Sequence, residues 1–142
     1  MEPVAVIDGA NVAYIERDEA DAPKVSNLME VRSTLVEMGF KVIIIVDASL
    51  RYQIDDSERL ESLLDKQIVR QAPADSDADY FIIELAKEMD ALVVSNDEFE
   101  QYREENPWIE ERRVPLMIVN GHVELYKPIL EKKKIGEQES DV

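Results

Sequence analysis

The run Val4-Ala5-Val6-Ile7, leading straight into Asp8-Gly9-Ala10-Asn11, constrains this chain more than any other stretch. Apolar, largely β-branched residues without polar alternation predict a strand buried on both faces, as in a parallel sheet covered by helices. Asp8 stands where that strand ends. Gly9 permits a sharp turn or a close backbone approach. Open α/β sheets bind ligands at the carboxyl ends of their strands, so an acid at this point is a functional candidate.

The same grammar repeats along the chain. After an acid-rich loop from Ala13 to Lys24, Asn27 with Glu30 has the form of a capping box. It predicts a helix with Val25, Leu28, Met29, Leu35 and Val36 near one face, closed by Gly39. Phe40 to Val46 is a second buried strand, and it also ends in an acid, Asp47. Asp55 or Ser57 caps a helix carrying Leu60, Leu63 and Leu64, and Gln67 to Gln71 is a short third strand. Ser76 caps a third long helix whose core face is Phe81, Ile82, Leu85, Ala86 and Met89. Ala91 to Ser95 is a fourth strand running into Asn96-Asp97, with short helices predicted at Asp97 to Tyr102 and Pro107 to Arg113. Pro115 to Val119 and His122 to Leu125 flank Asn120-Gly121, a strong hairpin signal. Strands alternating with helices predict a three-layer α/β/α sandwich around a parallel sheet, with a C-terminal β-hairpin. Residues 1–126 form the expected domain, and 127–142 a charged, mobile tail.

Composition restricts the chemistry. With 142 residues and 45% hydrophobic content, a single domain can bury a substantial core. No apolar run approaches the roughly 20 residues of a membrane span, and no basic-then-apolar signal opens the chain. A soluble, cytoplasmic protein without membrane partners is expected. There is no cysteine and only one histidine, His122. Disulfides, thiolate metal sites, cysteine nucleophiles and histidine-rich zinc sites are therefore excluded. The formal net charge of −16 is unusual for a nucleic-acid binder. Carboxylates gathered around Mg²⁺ or Mn²⁺ are, however, neutralised by the metal.

Such a gathering follows from the pattern. Asp8, Asp47 and Asp97 each stand at or just past a strand end, and Asp75-Ser76-Asp77-Ala78-Asp79 opens the third long helix. A parallel sheet brings these points to one edge, where unpaired carboxylates repel. A hard divalent cation resolves the conflict and suits phosphodiester hydrolysis better than acyl transfer. Rival α/β chemistries fail on residues. A dehalogenase-type phosphatase needs an acid where Ala10 stands, and a response-regulator receiver needs an adjacent acid pair where Asp8 is alone. Neither GxxxxGK nor GxGxxG occurs.

Three motifs together resemble the PIN-like superfamily, closest to its NYN branch and the Regnase-type CCCH-finger ribonucleases. They are Val-Ile-Asp8-Gly9-Ala10-Asn11-Val, the helix start Asp77-Ala78-Asp79-Tyr-Phe-Ile-Ile, and Val-Val-Ser95-Asn96-Asp97-Glu-Phe. The resemblance covers about Val4 to Leu125. It implies a parallel sheet of order 3-2-1-4-5, a Mg²⁺ or Mn²⁺ site of acids, and cleavage of single-stranded or looped RNA. It also allows a homodimer. By position, Asp8, Asp79 and Asp97 correspond to the family's metal-holding acids, and Asn11 to the asparagine that holds the site together. Asp77 and Asp47 are further candidate ligands. Two departures stand out. The family pattern has two adjacent acids at the helix start where this chain has Ala78-Asp79, and no Cys–His finger is present. Asp77 and Asp79 lie roughly 200° apart on a helix, so both serve one ion only if the helix begins between them.

Substrate contacts are expected from Asn11, Ser95, Asn96, Arg51 and Tyr14. Arg51 would steer phosphate, and Tyr14 would stack on a base. Blander readings stand beside these. Asp8, Asp79 and Asp97 taken singly also read as capping or turn acids, Arg51 as a surface arginine, and Tyr14 and Trp108 as packing aromatics. Ser95 either fixes the turn or hydrogen-bonds a ligand. His122 reads as a hairpin residue, and Lys132-Lys133-Lys134 as part of a solvated tail. The expected activity is that of a metal-dependent ribonuclease; the alternative is a catalytically weak RNA- or protein-binding module.

Overall fold

The computed structural model describes residues 2–126 and 128–131. Five parallel strands form the central sheet: β1 (Val4–Asp8), β2 (Lys41–Val46), β3 (Val69–Gln71), β4 (Leu92–Val94) and β5 (Arg113–Val114), in the order β3-β2-β1-β4-β5. β1 is central, pairing with β2 from Val4↔Lys41 to Asp8↔Ile45 and with β4 from Ala5↔Leu92 to Ile7↔Val94. Its side chains divide as a strand covered on both faces requires. Ala5 and Ile7 enter one apolar cluster with Ile44, Leu92 and the helix residues Leu28 and Leu35, and Val6 enters the opposite one with Ile43, Val93, Ile82 and Ala86. The expected architecture and strand order are therefore present, with the antiparallel hairpin β6 (Leu116–Val119) and β7 (His122–Leu125) packed outside the sheet.

The fifth strand is only two residues long: its first residue, Arg113, is the last of the predicted helix, and its second, Val114, precedes the predicted hairpin strand beginning at Pro115. So short a segment has no periodicity to read. The connections differ in detail too. α1 (Gly9–Ala13) begins directly at the end of β1, and a Cβ on Gly9 would lie 2.5 Å from Val46 Cγ1 and 2.7 Å from the Ile45 carbonyl oxygen. Only glycine lets the chain turn this close to β2.

α2 (Val25–Glu37) starts before Asn27, which is no cap. Asn27 is buried, and its side-chain amide donates to the carbonyls of Val12 (3.2 Å), Ala13 (2.9 Å) and Glu16 (2.8 Å). It thereby ties the end of α1 and the loop after it to α2, sharing the Val12 carbonyl with the Ile15 amide and the Ala13 carbonyl with the Lys24 amide. Val36, expected on the core face, is 46% exposed.

α3 (Ser57–Asp65) is capped by Asp56, while Asp55 instead accepts from the Val25 amide at 2.9 Å and ties two helix starts together. α4 (Ala78–Met89) is capped by Asp77, not Ser76, whose hydroxyl donates to the Pro73 carbonyl. Two short helices follow, α5 (Glu100–Arg103) and α6 (Ile109–Arg112), each starting later than its sequence signal. In the hairpin turn Asn120 and Gly121 both take positive φ, as a type I′ turn demands. The turn is held by Glu16, whose carboxylate accepts from the amides of Asn120 at 2.6 Å and Gly121 at 3.0 Å. Packing continues past the expected boundary at 126, since Leu130 is fully buried in the core. The lysine cluster from Lys132 lies outside the described residues.

Candidate metal centre

β1 and β4 are neighbours, so the residues that leave their carboxyl ends start side by side. Asp8 is the last residue of β1, and Ser95-Asn96-Asp97 follows β4. The first turn of α4 brings Asp79 over the same point. One carboxylate oxygen from each of Asp8, Asp79 and Asp97 lies within 4.8 Å of the others. Asp8 is buried, Asp79 half-buried and Asp97 exposed, so the group grades from the core to solvent.

Ser95, fully buried, links two of these acids. Its hydroxyl donates to Asp8 Oδ2 at 2.7 Å and accepts from the Asp97 amide at 3.0 Å. Asp97 Oδ1 in turn accepts from the Phe99 amide at 2.8 Å. Phe99 sits at φ +51, where a bulky residue is strained. Its side chain is buried, and that anchoring holds the unusual turn. Asn11 Oδ1 accepts from the Asn96 amide at 2.9 Å, and Asn96 exchanges two side-chain hydrogen bonds with the backbone of Leu116, each 2.9 Å. The loops after β1 and β4 and the base of the hairpin thus form one hydrogen-bonded frame.

The electrostatics are those of acids held together against their preference. Burial, above all, pushes the Asp8 carboxyl up to about 6, with Asp79 and Asp97 adding repulsion while the Ser95 hydrogen bond opposes them. Asp79 is also pushed up to about 6, by burial first and then by Asp97, Asp77 and Asp47. Among the described residues no hydrogen-bond donor or cation meets the Asp79 carboxylate. Three carboxylates, one buried and one without a donor, are a hard oxygen set of the kind that Mg²⁺ or Mn²⁺ accepts.

The other expected site residues have different partners. Asp77 and Asp47 stand outside the three-acid group. Asp77 spends Oδ1 on the Asp79 amide at 3.0 Å and Oδ2 on the Tyr102 hydroxyl at 2.5 Å. Asp47 Oδ1 takes the Ser49 amide, the Ser49 hydroxyl and the Leu50 amide. Ala78, where the family pattern has an acid, packs against the apolar cluster beneath α4. Arg51 pairs with Glu61 at 2.8 Å and hydrogen-bonds Gln71. Tyr14 donates to Gln53 at 2.8 Å and carries the Arg17 guanidinium 5.0 Å from its ring centre.

Tyr102 was not evident from sequence. A cavity of about 600 Å³ opens from Asp79 and Asp97 and is walled by Glu98, Glu100, Gln101 and Tyr102. The phenol of Tyr102 is pushed up to about 12 by burial and by its hydrogen bond to Asp77. Nothing local marked it, since its partners are 25 residues away or across the helix gap.

Residues 2–137 match the family described as the Zc3h12a-like Ribonuclease NYN domain. No curated protein matches. Two solved structures of nuclear proteinaceous RNase P 2 from Arabidopsis thaliana are similar, with TM-scores of 0.68 and 0.67 at 22% and 21% identity. Each covers 87% or 88% of this chain, which spans only 29% or 30% of theirs, so that likeness speaks for the fold alone. The match over nearly the whole chain, joined to a sheet whose carboxyl edge gathers three acids, places this protein in the Zc3h12a-like ribonuclease NYN domain family.

Proposed function

We propose that the chain is a divalent-metal-dependent ribonuclease that hydrolyses phosphodiester bonds in single-stranded or looped RNA. The observation that carries this reading is the convergence of Asp8, Asp79 and Asp97 within 4.8 Å. These three would hold Mg²⁺ or Mn²⁺, which lowers the pKa of a coordinated water and offsets charge on the phosphate. The chain's own part is positional. Ser95 orients Asp8 and the Asp97 backbone, Asn11 fixes the loop that carries Asn96, and Asp77 caps α4 so that Asp79 meets the group. Buried Asp8 would keep water from the inner side of a bound ion, and exposed Asp97 would leave a path for substrate.

The test is cleavage of a labelled single-stranded RNA and its DNA counterpart with Mg²⁺, Mn²⁺ or EDTA, beside Asp8→Asn. The expected result is metal-dependent RNA cleavage that Asp8→Asn abolishes. Folded protein that binds RNA but cuts nothing under any metal favours the binding-module reading. Ala78, which leaves Asp79 the one acid in the first turn of α4, is the feature on that side.

A further inference from the structure

Apart from Asp79 and Asp97, which the ribonuclease reading gives to the ion, the wall of the cavity beside the acids offers a phosphate no cationic partner. Asp79, Asp97, Glu98 and Glu100 surround it, with the Gln101 amide and the Tyr102 ring as the remaining polar and aromatic surface. Carboxylates repel phosphates and accept hydrogen bonds from N–H groups. A planar group with N–H donors on its edge suits this wall. Its aromatic side is already built: Tyr102 is anchored through its hydroxyl to Asp77 at 2.5 Å, so the ring is fixed. Tyr80, the residue after Asp79, lies with its ring centre 6.3 Å from that of Tyr102, tilted by 48°, and is 52% exposed. Tyr102 packs one part of its ring against the apolar cluster beneath α4, while Tyr80 is left half in water next to the acids. Stacking on such rings is how single-stranded nucleic acids are held without a basic surface at every nucleotide.

We propose that this cavity binds one unpaired nucleobase bearing an exocyclic amino group, stacked on Tyr102 with Tyr80 extending the platform, beside the phosphate to be cut. The inference rests on the ribonuclease reading and deepens it. Glu98 and Glu100, the acids of the wall not given to the ion, take the donor edge of adenine, cytosine or guanine, as carboxylates take the amino group of cytosine in duplex recognition. Uracil, which has no amino group, is the poorest fit. Glu98 and Glu100 turn the phosphate away from their side of the cavity, toward Asp79 and Asp97, where a cation would meet it.

The experiment uses the full chain carrying Asp8→Asn, so that RNA is not consumed, with Mg²⁺ present. Binding of oligo(A), oligo(C) and oligo(U) is followed by fluorescence anisotropy, and a single 2-aminopurine in oligo(U) reports stacking by quenching. The expected result is weakest binding for oligo(U), and quenching of the 2-aminopurine. Tyr102→Ala should weaken oligo(A) binding about 5- to 100-fold, the range for removing a ring beneath a stacked base, and Tyr80→Ala should weaken it by less. Tyr102→Phe keeps the ring and should retain quenching. Because Tyr80 is exposed, Tyr80→Ala tests the platform in a chain that remains folded. Equal affinity for all three oligonucleotides, absence of binding, or parental affinity and quenching in both alanine variants overturns the proposal. Failure of the ribonuclease reading shows separately, as no metal-dependent cleavage by the parent chain. Base-selective binding without cleavage leaves the nucleobase site standing.

Discussion

Two ends of the same sheet edge carry acids that look alike in sequence and differ in what they do. At the β2 end, Asp47 Oδ1 collects three donors, from Ser49 and Leu50, and organises the turn that leads into buried Leu50. At the β1 and β4 end, Asp8 has the Ser95 hydroxyl as its one short hydrogen bond and Asp79 meets no donor among the described residues. The first end is a satisfied turn. The second is a set of carboxylates left unbalanced, two of them with raised pKa values. A carboxylate at a strand end is thus a candidate ligand only to the extent that the backbone around it has not already used it.

The sharpest way to break this contrast is at the unbalanced end. Asp79→Asn and Asp97→Asn should each lower metal-dependent RNA cleavage by roughly 100-fold or more, beyond the 10- to 100-fold cost of losing a partner one bond removed from a metal. Steady-state cleavage of a labelled RNA measures this. Retention of parental rates in either variant would show that the three acids do not act together.

Ser95→Ala comes next. It removes the donor to Asp8 and the acceptor for the Asp97 amide in one step. Mn²⁺ affinity, read by calorimetric titration, should fall about 10- to 100-fold, and unfolding free energy should drop by about 1–3 kcal/mol because the buried Asp8 carboxylate loses its donor. Unchanged metal affinity with reduced stability would assign Ser95 to the turn alone.

The metal-free protein offers a third test. Asp8 and Asp79 bind protons more tightly folded than unfolded, with carboxyls raised from 3.8 to about 6. Between about pH 4 and 6 the folded chain therefore holds more protons than the unfolded chain, and stability falls as pH rises through that window. Asp8→Asn cancels the buried part of this slope. In EDTA the variant should match the parent near pH 4 and exceed its stability by an amount on the order of 2 kcal/mol at pH 7. With Mg²⁺ or Mn²⁺ the order should reverse, since the ion stabilises only the chain that binds it. Urea denaturation at the two pH values measures both.

What could be read from sequence follows the same divide. The buried strands were legible because β1, β2 and β4 are apolar without alternation, and that pattern has few homes outside a parallel sheet. The convergence of Asp8, Asp79 and Asp97 followed from strand ends meeting at one edge. Hydrogen-bond allocation was not legible. Asn27 has the form of a cap and instead closes α1 from another helix, and the caps of α3 and α4 each fall on an aspartate beside the residue that local rules select. Such choices depend on which donor arrives from a distant segment. β5 and the Tyr80–Tyr102 pair belong to the same class, defined by neighbours and not by local pattern.

The smallest expected effect lies at the satisfied end, and it is the control that gives the contrast its meaning. Asp47→Ala frees the Ser49 and Leu50 amides at the start of the turn over Leu50–Tyr52, a loss comparable to that of a helix cap, about 1 kcal/mol. Its charge also acts on Asp79, as the last of the causes that raise that carboxyl, so its removal eases the Asp79 proton off at slightly lower pH. Urea denaturation should therefore show a modest loss of stability. The pH profile of cleavage should shift slightly to the acid side, with a maximal rate within about threefold of the parent, the change a surface-like substitution of this size allows. If Asp47→Ala instead abolished cleavage and metal binding as Asp79→Asn does, the sheet edge would be one extended site, and the hydrogen bonds around Asp47 would be a resting arrangement that substrate or metal undoes.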